Sequence, residues 1–402
     1  MASSISDSTI PAYIIQFLKK EFGEGIVANG KAQEMQSAQQ EVWILSNVPV
    51  AEKWMEALET GNHHVVVRCW KGASRWWNLN NHHSDGVQVL ALAEIAGYRV
   101  AHTALHGNTL QIPQVMFASF EDEFPWAIFT YVGPKSLCFT QIMEHDNYWF
   151  EGMVKVRLEF GFEEPHPRWG RVPSEEVLNY ANEVLRTVTM PLHRFINDKR
   201  GLLDWSYLGN EGKGITYQDM TLLYRTALTR IMENPQDDTK VAAHIRALSQ
   251  CIEHLHLESI KVHPLPPVLC HMDCQPQNLI CYKERDCGPK ILAILDWEEA
   301  AYADPRFELL LLARKVCANR KQADAIWVTY HDEFGVDLGD IEPWLKLETV
   351  HSLTTLVMQS MNLLGGGRNG WENKPDLDQK IQREFARLFL LGWDFCMDVA
   401  GE

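Results

Sequence analysis

Residues 271–297, HMDCQPQNLICYKERDCGPKILAILDW, gather oxygen and nitrogen ligands around two short apolar runs. His271 and Asp273 precede the run NLICY, which Asn278 opens, and Asp296 directly follows ILAIL. The intervening KERDCGP is turn-like, so the two runs read as a β-hairpin that returns Asp296 to the neighbourhood of Asn278. Asn278 and Asp296 can then face one hard cation through oxygen ligands, while Asp273 stays available to a hydroxyl. Phosphoryl transfer needs those parts: Mg²⁺ to neutralise phosphate charge, and a carboxylate to orient or deprotonate the nucleophile. A single loop Asp or Asn is most often a turn former. The spacing His-x-Asp-x4-Asn, a hairpin of suitable length and an aspartate after an apolar strand are three agreements rather than one.

At these residues the chain resembles the aminoglycoside phosphotransferase and choline kinase superfamily, relatives of the protein kinases. The family's catalytic loop, His-Gly-Asp-x-His-Pro-x-Asn, is similar to His271-Met272-Asp273-Cys274-Gln275-Pro276-Gln277-Asn278, with Gln275 in place of the second histidine. Its Ile-Asp-Trp-Glu segment is similar to Leu295-Asp296-Trp297-Glu298, and its Gly-Asp-Pro-x-x-Asp-Leu to Ala303-Asp304-Pro305-Arg306-Phe307-Glu308-Leu309. The resemblance implies that Asp273 is the catalytic base, that His271 buttresses the catalytic loop, and that Asn278 and Asp296 bind Mg²⁺.

The resemblance extends more loosely into the first third of the chain. VVVR, residues 65–68, resembles the strand whose basic residue holds the α and β phosphates of ATP, which makes Arg68 the candidate and Lys71 the second choice. An Arg suits this role because it contacts phosphate bidentately. Glu94 would be its ion-pair partner, with Gln88 an alternative. In ANGKAQEMQSAQQ only Gly30 resembles the phosphate-covering hairpin loop, and no Gly-x-Gly-x-x-Gly is present. PWAIFTYVGP resembles the hinge strand, where the backbone of residues 129–132, including Phe129 and Tyr131, would meet the adenine.

The elements that must position these residues follow from patterning. In IPAYIIQFLKKEFG, Thr9 ahead of Pro11 suits a helix start, Ile14, Ile15, Leu18 and Phe22 form an apolar face, and Gly23 is the stop. EVWILS, HHVVVRCW, QIPQVMFAS and PWAIFTYVGP read as strands, and residues 84–97 as a helix ending at Gly97. PSEEVLNYANEVLRTVTMPLHRF places Val177, Ala181, Val184, Leu185 and Val188 on one helical stripe. Helical periodicity resumes at PRFELLLLARKV and continues nearly to the end. Strands first and helices after make the expected fold α+β, and the resemblance implies that it is two-lobed and protein-kinase-like. Residues 1–132 would form a small nucleotide-binding lobe with an antiparallel sheet, and residues 133–402 a large, mainly helical lobe for catalysis and substrate.

Composition narrows the partners. Lys and Arg total 37 against 53 Asp and Glu, a formal net charge of −16 that repels phosphate backbones and disfavours nucleic acid. No window approaches the roughly 18 continuous apolar residues of a membrane span. The N-terminus lacks the pattern of a signal peptide, and nine irregularly spaced cysteines read as reduced thiols, so the expected location is the cytoplasm. The expected cofactors are ATP and Mg²⁺, and the acceptor a hydroxyl-bearing small molecule: an aminoglycoside-like or choline-like cation, or a neutral sugar or similar metabolite.

Other clusters compete for chemistry. His254, His256 and His263, with His271 and Asp273 after them, raise a zinc hydrolase, yet HLH continues a helical pattern in which i and i+2 point apart. Cys270, Cys274, Cys281 and Cys287 have no common zinc-site spacing. Trp169, Trp205, Tyr207 and Trp371 could cage a cationic substrate, although fourteen tryptophans make packing their default role. The glycine run at 365–370 reads as a helix connection. A catalytically silent kinase-like fold that binds a nucleotide or a protein is the rival from another class.

Overall fold

The computed structural model describes residues 3–35, 40–49, 64–71, 83–105, 107, 110–132, 174–195, 214–234, 239–274, 278–284, 288–316, 320–361 and 377–393. Trp169, Trp205, Tyr207, Trp371, Cys287 and the glycine run lie outside them, as do the side chains of Val177 and Cys281.

The first helix, α1 (Ala12–Phe22), buries Ile14, Leu18 and Phe22 and stops at Gly23, whose φ of +84° suits a residue without a Cβ. Its start differs from the sequence expectation. Pro11 precedes the helix, and the Thr9 hydroxyl instead donates to Glu34 Oε2 (2.8 Å) and accepts from Trp43 Nε1 (3.0 Å). A short helix, α2 (Gly25–Asn29), leads to the sheet.

That sheet contains β1 (Ser3–Ser4), β2 (Lys31–Met35), β3 (Gln40–Ser46), β4 (Val65–Trp70), β5 (Val115–Ser119) and β6 (Trp126–Thr130), in the order β1-β2-β3-β4-β6-β5. Every neighbouring pair is antiparallel. Strand alternation gives it two different faces. Trp43, Leu45, Val65, Val67, Cys69, Trp126 and Ile128 pack with α1 and α2, while Val66, Trp70, Ala127 and Phe129 belong to the larger core. Arg68, between Val67 and Cys69, shares that second face.

The helix expected to end at Gly97 runs on, as α3 (His83–Ala104). Gly97 is not a terminator but a close-approach site: a Cβ there would lie 2.9 Å from Trp297 Cβ and closer still to the Trp297 carbonyl oxygen. The absence of a side chain brings α3 against the Asp296–Glu298 segment.

The remaining chain is mainly helical. Helix α4 (Ser174–Val184) passes through a π-helical turn, Leu185–Thr189, into α5 (Met190–His193), and the stripe Ala181, Val184, Leu185 and Val188 is fully buried. Thr216 and Asp219 form a capping box at the start of α6 (Tyr217–Met232), which pairs with α7 (Thr239–Ser259). Then come β7 (Val268–Cys270), the hairpin β8 (Leu279–Glu284) and β9 (Gly288–Ile294), and β10 (Ala301–Ala303), which pairs with β7. Helices α8 (Pro305–Val316), α9 (Arg320–Phe334), α10 (Glu342–Ser360) and α11 (Leu377–Leu390) complete the described chain. No helix among the described residues is long and apolar enough to cross a membrane.

Candidate active site

The chain leaves β7 with its backbone turned by an unusual residue. Met272 stands at φ +63°, a conformation that L side chains seldom adopt, and occupies the position at which the similar family motif has glycine. Its N–H is held by Glu308 Oε2 at 2.7 Å, from the first turn of α8. His271 is fully buried, and its ring bridges two backbone groups. Nε2 meets the Leu295 carbonyl at 2.9 Å and Nδ1 accepts the Asp273 N–H at 3.2 Å, which assigns the proton to Nε2. Burial holds its pKa below the ordinary histidine value, so the ring is a neutral brace between the loop and the end of β9.

The hairpin performs the closure expected of it. Leu279 lies opposite Ile294, and Leu295 N–H donates to the Asn278 carbonyl at 2.8 Å, so the two ends of the hairpin meet. Asn278 Nδ2 donates to both the carbonyl and the Oδ2 of Asp273, each at 2.9 Å. The amide thereby fixes the Asp273 carboxylate and turns its own Oδ1 the other way. Asp296 also sits in the left-handed region, at φ 65° and ψ 62°, and its N–H donates to the Tyr98 hydroxyl at 3.0 Å.

Around Asp296 the sheet, α3 and the hairpin converge. The Arg68 guanidinium forms an ion pair with Glu94 and approaches Asp296 Oδ1 at 3.5 Å. Burial opposes its charge, and the Glu94 carboxylate, with Tyr98 and Asp296, more than compensates, so its pKa lies above the ordinary value. Glu94 is fully buried and accepts from Trp70 Nε1 at 2.9 Å, whereas Gln88, the alternative partner, is exposed. Lys71 points elsewhere, toward Glu41 at 2.5 Å. Sequence reasoning missed two members of this cluster. Gln40 is buried and bonds to Arg68, Glu94 and Glu298, and Tyr98 touches both Arg68 and Asp296. The i, i+4 spacing of Glu94 and Tyr98 on α3 was the available signal for the second.

The oxygen-rich end of this cluster fits a hard divalent cation. Carboxylate oxygens of Glu94, Asp296 and Glu298 lie within 4.8 Å of one another. Asp296 Oδ1 is withdrawn from water, and beyond Arg68 it has no hydrogen-bond donor among the described residues. Oxygen donors of this kind are what Mg²⁺ selects.

A small apolar cluster lies on the same strand face as Arg68. Ile44 of β3, Val66 of β4, Tyr131 just after β6 and Ile280 of β8 pack together, spanning the sheet and the hairpin. Tyr131 belongs to this cluster. Phe129 lies opposite Val66 and Val115 within the sheet, and its ring packs 4.9 Å from that of Tyr98.

Residues 212–343 match the phosphotransferase enzyme family. No curated protein sequence matches the chain. Among solved structures, the GDP and kanamycin complex of APH(2")-IIia aligns over 95% of this chain and 99% of its own, at 13% identity and a TM-score of 0.52. The gentamicin–APH(2")-IIa complex aligns over 94% and 96%, at 14% identity and 0.53. A ternary complex of a thermostable APH(4)-Ia mutant with AMP-PNP and hygromycin B aligns over 94% and 98%, at 14% identity and 0.52. The chain has the fold of the aminoglycoside phosphotransferases.

Within that phosphotransferase fold, the segment after the hairpin is structural. Asp304 receives Arg306 through Nε at 2.8 Å and Nη2 at 2.6 Å, and accepts the Leu265 N–H at 2.9 Å; both side chains are buried. Arg306 also donates to the His263 and Leu338 carbonyls and lies 4.5 Å above the Trp344 ring. Gly30 is not in the β2–β3 turn. It precedes β2, donates to the Ile26 carbonyl at 2.8 Å, and has Ile5 against it, a packing role. The histidines of α7 diverge: His254 faces Glu258 and Trp393, and His256 faces Thr221. Cys270 and Cys274 are buried and form no disulfide.

Proposed function

We propose that the protein is an ATP- and Mg²⁺-dependent small-molecule kinase that transfers the γ-phosphoryl group to a hydroxyl. The observation that carries this reading is the juxtaposition at the hairpin's mouth: Asn278 fixes the Asp273 carboxylate through two 2.9 Å bonds, while Asp296 lies beside an Arg68–Glu94 pair. Asp273 would accept the proton of the acceptor hydroxyl, its carboxylate already oriented before the substrate arrives. Such a positioned base contributes on the order of 10² to 10⁴ in rate. Asn278 Oδ1, Asp296 and, by proximity, Glu298 would hold Mg²⁺, which when bound supplies charge neutralisation at the phosphate oxygens. Arg68 would meet the α and β phosphates, and Ile44, Val66, Tyr131 and Ile280 would sandwich the base next to the backbone of residues 129–132. This assignment divides the chain near residue 132 into a nucleotide-binding lobe and a catalytic, substrate-binding lobe.

The nucleotide and aminoglycoside complexes of the structural neighbours support a nucleotide and a polyhydroxylated acceptor. The net charge of −16 favours a cationic acceptor such as an amino-alcohol or aminoglycoside. A cytoplasmic location fits a kinase in which Cys69, Cys251, Cys270 and Cys274 form no disulfide.

Thermal unfolding with ATP, GTP or ADP, each with and without Mg²⁺, tests the reading, because a ligand that binds only the folded state raises the melting temperature. A Mg²⁺-dependent rise is expected. No rise at millimolar nucleotide would leave the catalytically silent fold as the better reading, which the absence of a glycine-rich β2–β3 turn also favours.

A further inference from the structure

An arginine has five N–H donors, and its Nε/Nη2 edge is one of the forks it offers to a phosphate. In this protein that edge of Arg68 is occupied. Gln40 Oε1 accepts from Nε at 2.8 Å and from Nη2 as well. Nη1 serves Glu94 and, at 3.3 Å, the Tyr98 hydroxyl, and Nη2 also approaches Asp296. The five donors have five acceptor contacts, and all come from the protein.

The orientation of the Gln40 amide is fixed by what lies on its other side. Its Nε2 donates to Glu94 Oε2 at 3.3 Å and to Glu298 Oε2 at 3.2 Å. A flipped amide would press its NH₂ against the guanidinium and its oxygen against two carboxylates, so the oxygen must face Arg68. Gln40 is buried, and β3 begins with it.

We propose that Gln40 is an internal competitor for the phosphate-binding edge of Arg68, holding that edge in the nucleotide-free protein and withdrawing from it when phosphate binds. The inference rests on the kinase reading above. On the Nε/Nη2 edge of Arg68, which only Gln40 and Asp296 reach among the described residues, Gln40 is the group that yields. Glu94 and Asp296 are charged partners, whereas a neutral carboxamide loses to a phosphate oxygen, whose charge-assisted bonds are about twice as strong. Gln40 thus sets nucleotide affinity by negative contribution: it keeps the guanidinium satisfied and correctly placed at the expense of the ligand.

Calorimetric titration of the full chain with Mg²⁺ and AMP-PNP, and separately with adenosine, tests this in the wild type, Gln40→Ala and Gln40→Met. Met preserves the side chain's bulk without its oxygen, which guards against a packing defect in the alanine variant. Losing this neutral competitor, which accepts from both Nε and Nη2, should tighten AMP-PNP binding by about five-fold or more in either variant. Adenosine, lacking phosphate, should bind all three proteins alike. Unchanged or weaker AMP-PNP binding in both variants, with the wild type binding normally, overturns the inference and leaves the kinase reading intact. Failure of all three proteins to bind either ligand removes the kinase reading and the inference with it.

Discussion

Gly97 of α3 and Trp297 of the Asp296–Glu298 segment touch through their backbones, so closely that a Cβ on Gly97 would stand 2.9 Å from Trp297 Cβ. The contact sets the distance from Glu94 and Tyr98, on the same helix, to Asp296. Gly97→Ala should therefore push α3 outward, destabilise the fold by about 1–3 kcal/mol as overpacking does, and weaken Mg²⁺-nucleotide binding. Chemical denaturation and calorimetry measure both, and a variant with wild-type values in each would show that the helix moves freely.

Asp273→Asn keeps an acceptor for the Asn278 amide but loses the proposed base. Turnover should fall by about 10² to 10⁴ or more, with nucleotide affinity nearly unchanged. Equal turnover in the variant would remove Asp273 from the chemistry. Asp296→Ala has the opposite signature, a loss of the Mg²⁺-dependent part of nucleotide binding, and superimposable binding curves with and without the substitution would refute it as a ligand.

Met272 should be replaceable by glycine and not by valine. Glycine relieves a left-handed side chain worth roughly 1–2 kcal/mol, and this offsets the lost packing and chain entropy, whereas a β-branched residue is a true outlier at φ +63°. Met272→Gly should melt within a few degrees of wild type and Met272→Val well below it. The reverse order would mean that side-chain packing, rather than backbone conformation, governs the position.

Asp304→Ala would leave the Arg306 guanidinium buried without its carboxylate. Breaking a buried pair in this way costs about 3–5 kcal/mol, which a urea midpoint would register. A small shift would argue that the His263 and Leu338 carbonyls and the Trp344 ring suffice for Arg306.

Two buried groups give stability opposite slopes with pH. Burial raises the Glu308 carboxyl from 4.5 to about 7, so its contribution is complete below pH 4.5 and is lost as pH rises through 7. Burial lowers His193 from 6.5 to about 3, so its contribution is complete above pH 6.5 and is lost as pH falls toward 3. Melting curves across pH 3–8 should lose the first slope in Glu308→Gln and the second in His193→Asn. Parallel profiles in wild type and variants would contradict the assignment.

The parts of the site that sequence made legible are those encoded by contiguous pattern. The hairpin strands alternate with a turn between them, so Asn278 and Asp296 had to come together, and the β-rich runs placed Arg68 on a sheet. What escaped depends on contacts across the fold. Gly97 has the same composition signal as a helix stop, and only Trp297, two hundred residues away in sequence, shows that it is a contact. Gln40 is one of several glutamines in its neighbourhood, and nothing local tells that its amide reaches Arg68 and two carboxylates. Phe129 and Tyr131 have the same parity on one strand, and it is Tyr98 and Ile280, from other elements, that separate their roles.

The left-handed backbone of Asp296 has a consequence for how this position can change over evolutionary time. Few residues tolerate φ 65° there: glycine, which has no ligand atom, and asparagine or aspartate, which do. Backbone conformation and the proposed metal-ligand role together favour two letters, Asp and Asn, at residue 296. A lineage that abandons the chemistry should show first an Asn, then a Gly, and a deep mutational scan selecting for activity should return those letters in that order of tolerance.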